Sequence, residues 1–212
     1  MHDKPFLRTL NIIADWIIRI VVLNVFMVVL TIPIVTFYAG YKAAYSLFVD
    51  YTEDKTTPLF RGFWENLKKD FWRDVGVGAL FLILLAVGVL GAYNYLRMLQ
   101  NDEGNVMYTL GFLITAGFSL LFLMTMIYSV TVLYIAPEIS LKNLFKVSLV
   151  VTGKYFFRSI VVIIITIAPV FLMISPMLMP IFVFAGLSVP LVLNVLLMRK
   201  PRRFLRGENK SV

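Results

Sequence analysis

The stretch that decides the fold is LNVFMVVLTIPIVTFYAGYKAAY, which runs from Leu23 to Tyr45. It begins as an apolar run suited to lipid, yet it contains an amide at Asn24, a helix breaker at Pro33 and a hydroxyl at Thr36. Proline lacks the N–H that would bond to the carbonyl four residues earlier, and its ring presses against that carbonyl. We therefore expect a membrane helix that bends at Pro33 and buries the amide of Asn24.

The composition places the rest of the chain in a membrane as well. Of its 212 residues, 60% are hydrophobic and only 15% are charged, and the mean hydropathy is +0.86. A soluble domain has about a quarter of its residues charged. Apolar runs of about 20 residues, long enough to cross ~30 Å of hydrocarbon, recur along the chain. The sequence therefore predicts an all-α, polytopic membrane protein, with residues 1–212 forming a single membrane domain.

Several classes of function lack the residues they need. The chain has no cysteine for a disulfide, a thiol nucleophile or a sulfur-ligated metal, and its one histidine is His2. We find no phosphate-binding glycine loop and no nucleophile–base pair, and no ionisable residue lies in the central part of a predicted span. The net charge of +8 is better explained by lysines and arginines retained in the cytoplasm than by nucleic acid. We expect no enzyme activity, no cofactor and no nucleic-acid partner.

The number of spans follows from the distribution of basic residues. The last apolar block, 160–198, is about 58 Å long as one helix, and Ser175-Pro176 near its middle favours a tight hairpin. With four spans the two sides of the membrane hold ten basic residues each, whereas with five they hold four and sixteen. Orientation follows such asymmetry. The sequence therefore predicts an N-terminus outside, a cytoplasmic C-terminus, and five transmembrane helices at about 17–38, 75–96, 107–135, 160–174 and 177–198.

Two segments between the spans have the pattern of amphipathic interfacial helices, at about 58–73 and 139–157. The apolar stripe of the first has its residues at i, i+3, i+4, i+7 and i+11: Phe60, Phe63, Trp64, Leu67 and Phe71. The second has a less regular stripe made of Leu141, Leu144, Phe145, Leu149 and Phe156. Such a stripe either dips into the acyl boundary of the cytoplasmic leaflet or packs on the ends of the spans, and the pattern leaves both open.

These two segments also resemble each other. They align without gaps at an offset of 85 residues, so that Phe60-Arg61 matches Phe145-Lys146 and Phe71-Trp72-Arg73 matches Phe156-Phe157-Arg158. We hypothesise a parallel internal repeat of span, interfacial helix and span, to which the fifth span is added. The alternative is that two basic amphipathic helices are similar by chance.

A basic tail follows the last predicted span directly. It reads RKPRRFLRGENK, and we expect its cations to meet the anionic headgroups of the bilayer. They are Arg199, Lys200, Arg202, Arg203 and Arg206.

The opening motif is similar to the N-terminal signature of the YesL-like family of bacterial inner-membrane proteins. The matching residues are Leu23-Asn24, Pro33, Thr36 and Ala39-Gly40, and the segments FRGFWENLKKDF and LKNLFKVSL resemble the family's two aromatic and basic segments. The resemblance implies a protein of the bacterial cell membrane without an established activity, encoded beside sugar-uptake ABC transporters and carbohydrate-degrading enzymes.

Three functions remain open. The first is a non-enzymatic accessory or regulatory protein of a carbohydrate ABC uptake system, with the permease subunits as partners. The second is a small autonomous transporter or channel, with a substrate cavity among Asn24, Thr36 and Asn194. The third is a membrane-surface scaffold or lipid sensor. For Asn24, Pro33 and Thr36 a structural role in a kinked, buried helix is the favoured interpretation, since an interhelical amide sets the register of a membrane bundle.

Overall fold

A computed structural model describes residues 5–102, 104–174 and 176–208, with side chains from Leu7 onward. It is 86% helical and contains no strand in this part of the chain, which confirms the all-α prediction. His2 and Ser175 lie outside the described residues. The helices are α1 (Pro5–Thr31), α2 (Phe37–Thr52), α3 (Leu59–Lys69), α4 (Phe71–Asn101), α5 (Val106–Ile135), α6 (Leu141–Lys154), α7 (Phe156–Ile174), α8 (Met179–Ile181), a π-helical turn (Phe182–Gly186), α9 (Ser188–Leu197) and α10 (Arg199–Leu205).

The apolar helices fit a multi-pass membrane protein. By length and composition, four described segments could each cross a membrane: Leu7–Thr31 within α1, and α4, α5 and α7. A fifth is available if Met179–Gly186 and Ser188–Leu197, which are bent by 45° to one another, form one span. The predicted five spans therefore match the upper of the two counts.

The first predicted span, 17–38, is not a single bent helix. Helix α1 ends at Thr31, two residues before Pro33, and α2 begins at Phe37. A residue that precedes proline disfavours the helical conformation, which accounts for the end of α1 before Ile32. Ile34 then has a φ of 50°, in the left-handed region that a β-branched residue rarely adopts. The chain therefore turns back at Pro33 instead of bending there.

Helices α1 and α2 form an antiparallel hairpin within a first compact unit, which comprises the described residues up to Phe71 together with Ile164–Arg199. Near the turn a Cβ on Gly40 would lie 2.9 Å from Leu30, and at the other end the Arg19 guanidinium lies 4.1 Å from the ring of Tyr51. Most of α2 is buried. Residues 39–52, which the sequence pattern assigned to a cytoplasmic loop, thus form an internal helix.

Helix α3 packs on α2 in the same unit, and only part of its predicted apolar stripe is buried. Phe63 and Leu67 are 0% and 4% exposed, whereas Phe60 and Trp64 are 61% and 45% exposed. Phe26 of α1 lies between the rings, with centroid distances of 4.9 Å to Phe63 and 5.7 Å to Phe60. One half of the stripe is therefore protein core, and the other half is surface.

In a second unit, Trp72–Ile163 with the described residues from Lys200 onward, α4 and α5 pack as antiparallel partners. Their glycines allow the approach, since a Cβ on Gly91 would lie 3.3 Å from Thr115 and one on Gly111 would lie 2.5 Å from Tyr95. Small residues that let helix backbones come close are the usual basis of packing between membrane helices.

Helix α6 packs on α5 through a face that differs from the prediction. Leu144 is buried and Phe145 stacks on Phe81 at 4.7 Å, but Leu141, Leu149 and Phe156 are about half exposed. The buried face is instead made of Leu144, Ser148, Val151 and Thr152. Small side chains allow α6 to lie close to α5, which leaves the bulky Leu149 outside.

The basic tail is partly internal. Residues Arg199–Leu205 form α10, and the ring of Phe204 lies 3.3 Å below the ammonium of Lys154 and 6.3 Å from the ring of Tyr155. Arg202 is only 3% exposed. Its side chain therefore packs against the protein, whereas Arg199, Lys200, Arg203 and Arg206 are exposed, and the contact of the tail with headgroups stays a prediction. Helical continuation turns one face of the tail toward the protein.

Two helix breaks occur at positions related by the offset of the sequence repeat. Helix α3 ends before Asp70, which has φ −135° and ψ 29°, and α6 ends before Tyr155, which has φ −112° and ψ 34°. In both places the next helix begins one residue later. In both, too, the amphipathic helix packs on the helix that precedes it. The two breaks share the offset of the sequence repeat, but α2 has no separate counterpart between α5 and α6, so the internal repeat stays a hypothesis.

Candidate functional site

The amide of Asn24 is fully buried and uses all of its hydrogen-bonding capacity. Its Nδ2 donates to the carbonyl oxygens of Phe182 at 2.9 Å and Val183 at 2.6 Å. Its Oδ1 accepts from the backbone N–H groups of Leu187 at 2.7 Å and Ser188 at 2.9 Å. An amide offers two donors and two acceptor lone pairs, so Asn24 has nothing left to give a substrate.

These four contacts lie around the interruption between α8 and α9. The π-helical turn Phe182–Gly186 leads into the 45° bend, and such a turn leaves backbone groups of the last span without their ordinary helical partners. In lipid every backbone polar group needs an internal partner. Asn24 supplies that partner from α1, so it stabilises the bend of the last span.

The other polar groups of the motif have local partners. The Thr36 hydroxyl donates to the Leu30 carbonyl at 2.5 Å, and the Thr31 hydroxyl donates to the Met27 carbonyl at 2.7 Å. Pro33 is exposed at the turn of the hairpin. The hydroxyls thus satisfy carbonyls near the end of α1, and each has a structural role.

The amide of Asn194 is also buried, but only its nitrogen has hydrogen-bond partners. Its Nδ2 donates to the Thr166 hydroxyl at 2.9 Å and to the Tyr41 hydroxyl at 3.3 Å. Its Oδ1 is buried without a hydrogen-bond partner. A buried acceptor left unsatisfied is costly, so this oxygen is a place where a donor from a small molecule could bind.

An ion pair that the sequence pattern missed joins α2 to the end of α3. The Lys42 ammonium lies 3.5 Å from Asp70, and their side chains are 8% and 26% exposed. The signal was a single lysine within a run of small and aromatic residues, YAGYKAAY. A partly buried charge of this kind needs a partner, and here the partner closes α3 onto α2.

The exposed face of α3 combines aromatic and charged groups. Phe60 and Trp64 lie beside Arg61, whose Nε donates to Glu65 at 2.6 Å. The hydrogen bond to Glu65 raises the pKa of the Arg61 guanidinium. Lys68 is also exposed. Exposed aromatic rings beside cations are typical of a surface that binds a partner.

The described residues contain no group of three or more histidine, aspartate or glutamate side chains placed to hold a metal ion. The polar groups that join helices here are the amides, the hydroxyls and the Lys42–Asp70 ion pair, and the amides and hydroxyls can also hydrogen-bond a neutral ligand. It does not bring the predicted cavity residues to one set of partners: Asn24 binds the π-helical turn, Thr36 binds α1 and Asn194 binds Tyr41 and Thr166.

A family model described as a protein of unknown function, DUF624, matches residues 20–95. The YesL-like family carries this designation, and the match spans the motif at Asn24, Pro33 and Thr36 together with α2, α3 and most of α4. It covers 76 of the 212 residues, counted from its two ends, so it documents similarity over about a third of the chain. No curated protein and no solved structure is matched by this chain.

Proposed function

We propose that this chain is a non-enzymatic integral membrane protein that assists or regulates a carbohydrate ABC uptake system. The resemblance to the YesL-like family carries the link to sugar uptake, and the match to DUF624 over residues 20–95 supports that resemblance. The observation that carries a docking role is the exposed face of α3, where Phe60 and Trp64 are 61% and 45% exposed beside Arg61 and Lys68. A helix that offers aromatic and cationic side chains in this way suits a groove on a permease subunit.

The proposal is tested by purification in mild detergent from the native host, followed by mass spectrometry. We expect permease subunits in stoichiometric amounts with the unaltered chain, and an at least tenfold lower yield with the double variant Phe60→Ala, Trp64→Ala, because truncating two anchor residues typically costs more than 1 kcal/mol each. Phe118→Ala is a matched control, since it removes an exposed ring from α5 instead. Equal recovery of the permease with all three chains would show that the exposed face of α3 is not the docking surface.

A small autonomous transporter is the second candidate, and the buried Oδ1 of Asn194 favours it. A site built from Asn194, Tyr41 and Thr166 could bind a hydroxyl of a neutral sugar. A third role, that of a membrane-surface scaffold or lipid sensor, draws on the same exposed rings of α3. Transport by the purified chain alone would favour the second candidate over the accessory role.

For localisation we propose the bacterial cell membrane with a cytoplasmic C-terminus. The count of basic residues predicts that the N-terminus is outside. That count places Arg19 across the membrane from Lys55, whereas the hairpin sets Arg19 against Tyr51. Helix α2, at about 24 Å, is shorter than the hydrocarbon thickness, so a hairpin that enters and leaves on one side is the alternative. Reporters fused before Met1 and after Val212 distinguish them: opposite sides support the count, and cytoplasmic activity of both supports the hairpin.

A further inference from the structure

Two highly exposed aromatic side chains, Trp72 and Phe157, lie outside the predicted apolar stripes. Trp72 is 82% exposed and Phe157 is 84% exposed. Each is the second residue of a long apolar helix, α4 or α7, and each directly follows one of the two helix breaks. The two positions are related by the offset of 85 residues. At the start of a long apolar helix, a ring with most of its surface exposed is placed to meet lipid.

Their levels along α5 can be compared, because both residues belong to the second unit. Gly91 lies opposite Thr115 and Tyr95 opposite Gly111, so the antiparallel register places Trp72 level with roughly residue 134 of α5. Ser159 donates to the Tyr128 hydroxyl at 3.2 Å. Because a tyrosine side chain is about 6 Å long and two helical residues add about 3 Å, Phe157 lies within roughly 10 Å of the level of Tyr128. Both residues therefore lie beside the C-terminal half of α5.

Cations accompany both rings. Arg73 follows Trp72 and donates to the Ile139 carbonyl, while Arg158 follows Phe157 and lies 5.9 Å from the ring of Tyr155. Tryptophan concentrates where headgroups meet acyl chains, phenylalanine can insert its ring at the same boundary, and basic residues at that depth attract anionic lipids. An exposed ring is followed by an arginine at the start of both helices, and the positive charge of the two arginines complements an anionic leaflet.

We propose that Trp72 and Phe157 are a pair of interfacial anchors that seat in the headgroup–acyl boundary of a single leaflet, with Arg73 and Arg158 directed at anionic phospholipid headgroups. The anchors fix the depth at which α4 and α7 enter the bilayer. This inference is independent of the proposed role in sugar uptake, because it rests on the two helix starts alone.

Depth-dependent quenching of tryptophan fluorescence tests the proposal. The chain has three tryptophans, so one variant keeps only Trp72 (Trp16→Phe, Trp64→Phe) and a second carries Phe157→Trp after all three are replaced by Phe. Both are reconstituted in vesicles of phosphatidylcholine and phosphatidylglycerol with bromine near either the glycerol end or the methyl end of the acyl chains. We expect shallow bromine to quench both more strongly than deep bromine.

A third variant, with Phe118→Trp as its only tryptophan, is the control because this exposed position lies in the middle of α5. It should be quenched more strongly by deep bromine. Absence of quenching at position 72 or 157, from either depth, would mean that water or another protein covers the ring and would overturn the proposal. So would quenching of the two positions by bromines at opposite depths.

The anionic preference has its own readout. Brominated phosphatidylglycerol should quench position 157 more than brominated phosphatidylcholine at equal mole fraction, with a local enrichment of about fivefold for one basic residue near the surface. Arg158→Gln should remove this preference while the depth is kept. Equal quenching by the two lipids in the chain with Arg158 would contradict the assignment of the arginines to anionic headgroups.

Discussion

Asn24→Leu should lower the free energy of unfolding in detergent by roughly 2–3 kcal/mol, the sum of four hydrogen bonds worth about 0.6 kcal/mol each in membrane proteins. The substitution removes both donors to the carbonyls of Phe182 and Val183 and both acceptors for Leu187 and Ser188. Leucine is close in volume and keeps the position apolar, so the loss measures polar contacts. Thermal or denaturant unfolding of the purified protein gives the value.

Asn11→Leu is the matched control for that substitution, because Asn11 lies on the exposed part of the same helix. Asn24→Asp adds a second comparison, since aspartate keeps the acceptors for Leu187 and Ser188 but loses both donors. We expect Asn11→Leu to have almost no effect on stability. If Asn24→Leu is as stable as Asn11→Leu, the amide does not hold the bend of the last span, and a binding role for Asn24 becomes the better explanation.

Phe63→Ala should be the more severe of two alanine substitutions on α3, with a loss of about 3–5 kcal/mol in unfolding free energy. Phe63 is 0% exposed and packs on Phe26 of α1, so the truncation leaves a cavity where three helices of the first unit meet. The neighbouring Phe60→Ala, at a site that is 61% exposed, should cost less than about 1 kcal/mol.

An amphipathic pattern does not say whether its apolar face lies in lipid or packs on the protein. Comparing these two variants distinguishes the two. A stripe wholly immersed in lipid would make Phe63 and Phe60 equivalent in detergent. Equal, small losses for both substitutions would therefore contradict the packing of α3 against α1 and α2. Stability should be measured for both proteins in the same detergent, because micelle composition changes the reference state.

The helical class and the long apolar helices could be predicted because lipid demands both helix and apolar length. Helix α2 could not, because it is shorter than a span and includes Lys42 and Asp50, which pattern rules assign to an aqueous loop. Its burial depends on α1, α3 and α9 packing around it. That is a tertiary effect which periodicity within one segment does not encode.

The amphipathic stripes illustrate a second limit. Periodicity identified an apolar face on α3 correctly, but it did not distinguish Phe63, which is buried, from Trp64, which is half exposed. On α6 it favoured Leu149 over Ser148, because hydropathy ranks leucine as the buried residue. In a membrane protein the exposed side of a helix is apolar too, so hydropathy loses its power to say which face packs.

Asn24 shows what a motif can and cannot convey. An amide within an apolar run had to be buried and bonded, and that follows from the cost of an unsatisfied group in hydrocarbon. Its partners, Phe182 and Leu187, lie more than 150 residues further along the chain. The sequence around Asn24 does not predict a π-helical turn at Phe182–Gly186, so its contact with the last span could be found only in the structure.

The most direct test of the proposed role is sugar uptake by proteoliposomes that contain this chain alone, the carbohydrate ABC permease alone, or both. We predict that the chain alone matches protein-free vesicles and that it changes the rate of ATP-driven uptake only when the permease is present, with Phe60→Ala, Trp64→Ala removing that change. Uptake by the chain alone, lost on Asn194→Leu, would contradict the account and would identify the Asn194 site as a transport site.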